Sequence, residues 1–163
     1  MEITDLIRRF SDTDEHRMKA IFSTLFIAGN RLQTLFDEQI PDITLKQFML
    51  LTMVKQSETE LTLTHAGRLL GCSRQNIKKL ANALEQKGYV EIRRSTLDTR
   101  AACIAPTEKM HAYFRDTFAA YETQLHTLFD VYDTLELTQL FSLMMKLYEG
   151  IDRMEAVIPH EAI

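Results

Sequence analysis

Polar and basic side chains crowd one short stretch of this 163-residue sequence, directly after Gly71. Arginine and lysine pair with phosphates or with guanine, and glutamine and asparagine pair with the edge of adenine. The chemistry that suits such a set is recognition of a nucleic acid. A polar helix face is often just a solvated surface, so these residues alone leave DNA binding and simple solvation both open. The candidates are Ser73, Arg74, Gln75, Asn76, Lys78 and Lys79.

A second candidate group lies in and beside the polar turn of residues 95–100, and consists of Arg94, Asp98 and Arg100. Arg100 follows Asp98 by two residues, so both side chains can share one face of the turn. A carboxylate near a guanidinium limits its rotamers, and an arginine at a turn tip suits a narrow minor groove. The alternative is a surface ion pair that only stiffens the turn, worth about 0–1 kcal/mol.

Two helices joined by a tight turn must position the first group. Gly71 can adopt the left-handed conformation that ends a helix, and Thr62 and Ser73 stand where helix N-caps belong. Upstream, Thr44 and Gln47 have the spacing of a capping box that opens a preceding helix. We therefore expect one helix over residues 63–70 and a second that begins at Ser73 and ends before Gly88. The second helix carries an apolar stripe at helical spacing, formed by Ile77, Leu80, Ala81 and Leu84.

A two-stranded ribbon follows and carries the second group. Val90 and Ile92 alternate with polar neighbours, which predicts a strand that returns over residues 101–105, and Leu61 can add a short strand. Together these elements predict a mainly α fold with a winged helix-turn-helix lobe over residues 44–106, which would place its second helix in the major groove of DNA. The alternative is a protein-interaction module of the same shape, like an anti-repressor, that does not bind DNA.

Amphipathic helices flank this lobe. Apolar spacing predicts helices over residues 14–39, stopped by Pro41, over residues 107 to about 130, and over residues 137–157 with the apolar side chains inward. Terminal helices with broad apolar faces indicate a homodimer built from residues 14–39 and 107–157. The alternative is that these helices pack on each other within one chain.

The charge of the chain is unevenly distributed. The formal net charge is −4, yet the segment from Leu61 to Met110 has nine Lys and Arg against four Asp and Glu, a net charge of +5. The remainder therefore carries −9. A basic lobe on an acidic body fits local contact with phosphates without general attraction to polyanions.

Other classes of function find little support in the residues. The sequence has no phosphate-binding loop, no GxGxxG, no GxSxG and no HExxH, so we expect neither an enzyme nor a cofactor. The five histidines show no metal-ligand spacing, and no apolar run is long enough to cross a membrane. Cys72 and Cys103 form no CxxC, which fits a reducing cytoplasm. Cys72 is either a small turn residue or a redox switch beside the second helix.

The order of these motifs resembles the MarR family of dimeric winged-helix regulators. The resemblance is close over residues 44–107, and the flanking helices are similar in arrangement. Two segments carry it: LTLTHAGRLLGCSRQNIKKLANALEQKGYV, and the ribbon residues Asp98, Thr99 and Arg100 with Ile104, Pro106 and Thr107.

The resemblance implies that residues 1–163 form one MarR-like domain of a transcription factor, usually a repressor. Such a protein binds a pseudo-palindromic operator in double-stranded DNA as a homodimer. A small, often aromatic ligand in a cleft between the dimerisation helices and the DNA lobe frequently regulates it. By the same resemblance, Arg100 reaches the minor groove, Asp98 orients it, and the helix from Ser73 enters the major groove. Pro106 and Met110 depart from the family pattern, which usually has an aliphatic residue and a glycine there. Ala101 and Ala102 after Arg100 make the wing less basic than in many members, which implies fewer wing contacts and a lower or more salt-sensitive affinity for DNA.

Overall fold

The computed structural model describes residues 3–9, 11–40, 42–116 and 118–157. Residues 1–112 and 113–163 form two compact units, which are described separately below. The elements in chain order are α1 (Ile3–Arg9), α2 (Asp14–Gln39), α3 (Leu45–Gln56), β1 (Leu61–Thr62), α4 (Leu63–Leu70), α5 (Arg74–Gln86), β2 (Val90–Arg94), β3 (Ala102–Pro106), α6 (Glu108–Asp116), α7 (Phe118–Phe129) and α8 (Thr134–Val157).

Side-chain caps begin the helices of the lobe where the sequence predicts them. Thr44 and Gln47 form a reciprocal capping box, because the Gln47 N–H donates to Thr44 Oγ1 at 3.3 Å and the Thr44 N–H donates to Gln47 Oε1 at 3.2 Å. Thr62 Oγ1 accepts from the His65 N–H at 3.1 Å, and Ser73 Oγ accepts from the Asn76 N–H at 3.3 Å. Each cap satisfies one backbone donor that its helix leaves unpaired.

The turn between α4 and α5 brings the two helices close together. Gly71 has φ 60°, the left-handed value expected for a helix C-cap. The Cys72 N–H donates to the carbonyl of Gly67 at 2.8 Å. A Cβ added to Gly67 would lie only 2.7 Å from the Cys72 carbonyl oxygen and 3.7 Å from Ile77. A larger residue at position 67 would therefore push the two helices apart.

The ribbon belongs to a three-stranded antiparallel sheet of order β1-β3-β2. Leu61 of β1 and Ile92 of β2 both pair with Ile104 of β3, so β3 is the central strand. Strand β3 begins one residue later than predicted, at Ala102. The Ala101 N–H donates to the Asp98 carbonyl at 2.9 Å, so Ala101 closes the turn and precedes the strand.

The core of the first unit lies under α5. Helix α5 buries Ile77, Ala81 and Leu84 of its predicted apolar stripe, while Leu80 is only half-buried. Helix α2 joins the lobe through its C-terminal end, where the rings of Phe36 and Phe48 lie 5.2 Å apart between centroids. The predicted stop of α2 at Pro41 lies outside the described residues. The side chains with an exposed fraction of zero are Leu50, Leu51, Ala66, Ile77, Ala81, Leu84 and Met110.

The helix expected from Thr107 to about Asp130 is described as α6 and α7, on either side of residue 117, which lies outside the described residues. The last helix begins at Thr134 and not at Leu137, because Asp133 and Glu136 form a reciprocal capping box with hydrogen bonds of 3.0 and 2.8 Å.

The prediction that the apolar residues of α8 face inward is also wrong for the single chain. All 24 residues of α8 are described and none is buried. Within α2, Phe36 is the only buried residue of the described range Asp14–Gln39. A helix face becomes buried only when a second surface covers it, so the apolar spacing of α8 marks a face that this chain leaves open. In the described part of the chain, no helix combines the length and apolar character of a membrane span.

Candidate nucleic-acid interface

Helix α5 separates its apolar and polar residues onto opposite faces. Ile77, Ala81 and Leu84 are fully buried, while the predicted contact residues remain exposed. The first acidic residue in the helix is Glu85, and its carboxylate accepts the Ile92 N–H of β2 at 2.6 Å. Before Glu85, the exposed residues of α5 therefore carry only positive and amide groups: Arg74, Gln75, Asn76, Lys78, Lys79 and Asn82.

Ser73 lies at the N-terminus of α5, where its hydroxyl caps the helix. The N-terminus of a helix presents free N–H groups and a positive dipole end, which favour an anion such as a phosphate. Cys72, the residue before the cap, is half-buried and lies 3.4 Å from the Leu70 carbonyl oxygen. This contact fits the interpretation of Cys72 as a small turn residue.

The wing, which is the hairpin of β2, β3 and residues 95–101 between them, carries the second group. Arg94, Asp98 and Arg100 are all exposed. The Asp98 carboxylate accepts the backbone N–H of Arg100 at 2.9 Å. The expected contact was with the guanidinium of Arg100, so the aspartate orders the turn backbone and leaves the arginine side chain to other partners.

Helix and wing meet at a polar cleft of about 210 Å³. Arg74 of α5 and Arg100 of the wing both line it, together with Asp98, so the two predicted groups come together here. Thr62 and Thr64 also line the cleft, although the sequence did not indicate them as contact residues. Hydroxyl groups of this kind contact phosphate oxygens in DNA complexes.

A second cleft, of about 490 Å³, lies along the wing and is lined by Arg93, Arg94 and Arg100. Arg93 is a candidate that sequence reasoning missed, although its position beside Arg94 in a strand was visible. In a strand, neighbouring side chains point to opposite faces, so two consecutive arginines place positive charge on both sides of the hairpin. Basic groups therefore flank the wing.

Among the residues for which the structure gives a placement, no group of three or more His, Cys, Asp and Glu side chains could hold a metal ion. The geometry fits binding of a long polyanion along α5 and the wing. Amide groups on α5 can read base edges, while the arginines hold phosphates or enter a groove.

Comparison with known proteins agrees with this arrangement. Residues 42–101 match the model described as MarR family. The transcriptional repressor MprA of Escherichia coli (strain K12) is 32% identical over 106 residues, which are 65% of this chain and 60% of MprA. The match therefore spans less than two thirds of that relative.

Solved structures share the fold at low sequence identity. A MarR/EmrR family transcriptional regulator from Acinetobacter sp. ADP1 superimposes with a TM-score of 0.74 at 18% identity, over 83% of this chain and 96% of that one. The MarR family regulator Sco3205 from Streptomyces coelicolor, solved in complex with DNA, gives 0.73 at 19% identity, over 85% and 92%. The proteins named here are transcriptional regulators, not enzymes.

Proposed function

We propose that this chain, whose residues 42–101 match the model described as MarR family, is a transcriptional regulator that binds a pseudo-palindromic operator in double-stranded DNA as a homodimer. We further propose that it acts as a repressor and that a small effector releases it. The alternative is a winged-helix interaction module that pairs with another protein in place of DNA.

The observation that carries the proposal is the joint exposure of α5 and the wing on one basic surface. Arg74 and Arg100 come from two separate elements and line the same cleft. An α5 placed in the major groove would bring Gln75 and Asn76, in its first turn, to the base edges. Arg100 would then follow the neighbouring minor groove, where narrow A·T-rich segments enhance the negative potential.

Asp98 is the one acidic residue that interrupts this surface at the cleft. Its carboxylate already accepts the Arg100 N–H, so part of its hydrogen-bonding capacity is used within the turn. On an interaction module we would expect acidic residues among the exposed side chains at the start of α5. The first acidic residue there is Glu85, at the far end. This distribution of charge favours DNA over a basic protein partner.

The homodimer is supported by the exposed apolar side chains of α2 and α8. Phe22 and Phe26 of α2 are 76% and 71% exposed, and Phe141 of α8 is 65% exposed. Soluble monomers rarely expose large contiguous apolar patches. A twofold dimer presents the same surface from both subunits and so matches a palindromic site.

Sedimentation equilibrium at micromolar concentration tests the assembly. We expect about twice the chain mass of 18.9 kDa. The variant Phe141→Glu places a charge on the proposed interface, so it should weaken the dimer, whereas Lys146→Glu on the same helix is a matched control at a charged position. A wild-type protein that sediments as a monomer would contradict the dimer.

Selection of bound fragments from fragmented genomic DNA tests the DNA function without assuming an operator. We expect a recurring motif with twofold symmetry, bound far more tightly than random DNA at the same salt concentration. A folded dimer that enriches no sequence and shows no salt-dependent affinity for any duplex would instead support the interaction module.

The effector is supported by a cleft of about 700 Å³ within the second unit, at α7 and the start of α8. Phe129, Tyr132, Leu125 and Leu137 line it, with His126 and Asp130 as polar groups. Its volume and mixed lining are in the range of small-molecule sites. A screen of phenolic compounds by melting temperature should find a ligand that also lowers operator affinity; no shift with any compound would count against release by an aromatic effector.

A further inference from the structure

Glu60, in the loop before β1, contacts the first residues of the wing turn. Its Oε2 accepts from Ser95 Oγ at 2.6 Å and from the Thr96 N–H at 2.9 Å, and its Oε1 accepts from Thr96 Oγ1 at 3.1 Å. Glu60 and Ser95 are 35 residues apart in sequence. One carboxylate therefore joins the start of β1 to the start of the wing turn.

Ser95 connects the contact with Glu60 to the backbone of the wing turn. Its side chain is buried, with 4% of the residue exposed, and its Oγ accepts from the Leu97 N–H at 3.1 Å and the Asp98 N–H at 3.2 Å. A hydroxyl has one proton to donate and two lone pairs to accept with. Because the proton goes to Glu60, both lone pairs are available to the two backbone donors.

Asp98 completes the path to the wing arginine. Its Oδ1 accepts the Arg100 N–H, and its carbonyl accepts the Ala101 N–H, both at 2.9 Å. Three consecutive contacts thus connect Glu60 to the backbone of Arg100, through Ser95 and Asp98. The backbone from which the arginine side chain starts is set by a residue outside the wing.

The charge of Glu60 makes this contact unexpected in a DNA-binding surface, because a carboxylate close to a phosphate backbone opposes binding. The nearest cation is Arg93 Nη2, at 4.0 Å. The hydrogen bond from Ser95 is the main cause that lowers the pKa of Glu60 below its usual value, so the acceptor is ionised at neutral pH. An ionised carboxylate makes stronger hydrogen bonds than a neutral acceptor.

We propose that Glu60 is a positioning residue for DNA binding: it holds the wing turn so that Arg100 points to the minor groove. The proposal rests on the DNA function proposed above. It predicts that removing a negative charge at position 60 weakens DNA binding, whereas electrostatics alone predicts that the same change strengthens it. Whether DNA affinity falls or rises on this change therefore distinguishes a positioning role of Glu60 from a simple effect of its charge.

The variant Glu60→Gln keeps the size of the side chain but replaces one acceptor oxygen with a donor that faces donors. We expect operator affinity to fall about tenfold, the scale of one lost charge-assisted hydrogen bond. Glu58→Gln is the matched control, since Glu58 is an exposed carboxylate two residues earlier in the same loop. That control should bind equally well or slightly better, because it removes the same charge without touching the wing turn.

A double-mutant cycle with Arg100→Ala distinguishes positioning from a purely structural role. If Glu60 acts through Arg100, then Glu60→Gln should cost almost nothing further in the Arg100→Ala background. Thr96→Val, which removes one of the three hydrogen bonds at an exposed residue, should show the same dependence with a smaller loss of about two- to threefold. Additive losses for both variants, or a gain in affinity for Glu60→Gln, would overturn the proposal.

Hydrogen exchange of the full-length protein without DNA tests the same restraint independently of the proposed function. In Glu60→Gln the amides of Thr96, Leu97, Asp98 and Arg100 should exchange faster, while the amides paired between β2 and β3 keep their protection. Unchanged exchange over residues 96–100 would overturn the proposal even if the protein binds DNA. If the wild-type protein binds no DNA, the proposed function fails, while faster exchange would still support the role of Glu60 in ordering the wing.

Discussion

Helices α5 and α8 differ in how far their apolar side chains are buried. Helix α5 has 13 residues and buries Ile77, Ala81 and Leu84 completely. Helix α8 has 24 residues, all described, and buries none; Phe141 and Met154 are 65% and 68% exposed. The free energy gained by burying apolar surface is therefore already realised for α5 within one chain, whereas for α8 most of it is not.

The exposed side chains of the two helices also differ in polarity and charge. From Arg74 to Asn82, the exposed side chains of α5 are basic or carry amides. The exposed side chains of α8 include Leu143 and Tyr148, which are 64% and 61% exposed. A polar and positive face suits a nucleic acid, and an apolar face suits a second protein surface. The difference matches the two partners proposed above, DNA at the lobe and a second copy of the chain at the terminal helices.

The largest expected effect tests whether the lobe is stable on its own. Ile77→Ala removes a fully buried side chain next to the close contact of Gly67, so it should lower the free energy of unfolding by about 2–5 kcal/mol. Leu143→Ala on α8 is the comparison, and within a single chain it should cost no more than about 0.5 kcal/mol. Urea denaturation at two protein concentrations measures both. A loss at Leu143 that is present at high protein concentration and shrinks on dilution would sharpen the comparison, because it would arise from the dimer. An equal, concentration-independent loss at both positions would break it.

A smaller effect concerns base reading by α5. Replacing Gln75, Asn76 or Lys79 with Ala should cost about 1–3 kcal/mol on the selected operator and much less on random DNA, if that residue contacts a base. Assembly should be unchanged, because these side chains lie on the polar face. Fluorescence anisotropy on both duplexes, with sedimentation as control, measures the two properties. Equal losses on both duplexes would reassign the residue to phosphate contact.

The smallest expected effect concerns the tip of the wing. Arg100→Ala should weaken binding to operator and random DNA alike and reduce the slope of affinity against salt by about one unit. Asp98→Ala should do less, because the arginine remains and loses only the bond to its backbone N–H. Affinity measured from low to moderate salt decides between these outcomes. An unchanged slope in Arg100→Ala, together with a lower melting temperature, would mean that the wing only supports the lobe.

Much of the lobe could be predicted because its signals are local. The caps at Thr44, Thr62 and Ser73 each involve a partner three residues away, and Gly71 needs only its own backbone conformation. Periodic apolar residues likewise show which face of α5 enters a core, because the helix has a known repeat. The same local reasoning missed the capping box of Asp133 and Glu136, although that signal was present in the sequence.

The sequence by itself determined the helices, their caps and the identity of the basic group on α5, since each depends on residues within one or two turns. Only the tertiary structure decided the contacts between residues that are distant in the chain. It paired Leu61 with Ile104, placed Arg74 and Arg100 in one cleft, and brought Glu60 to Ser95. It also decided that α8 stays exposed, because periodicity shows that a helix has an apolar face and only packing shows what covers it.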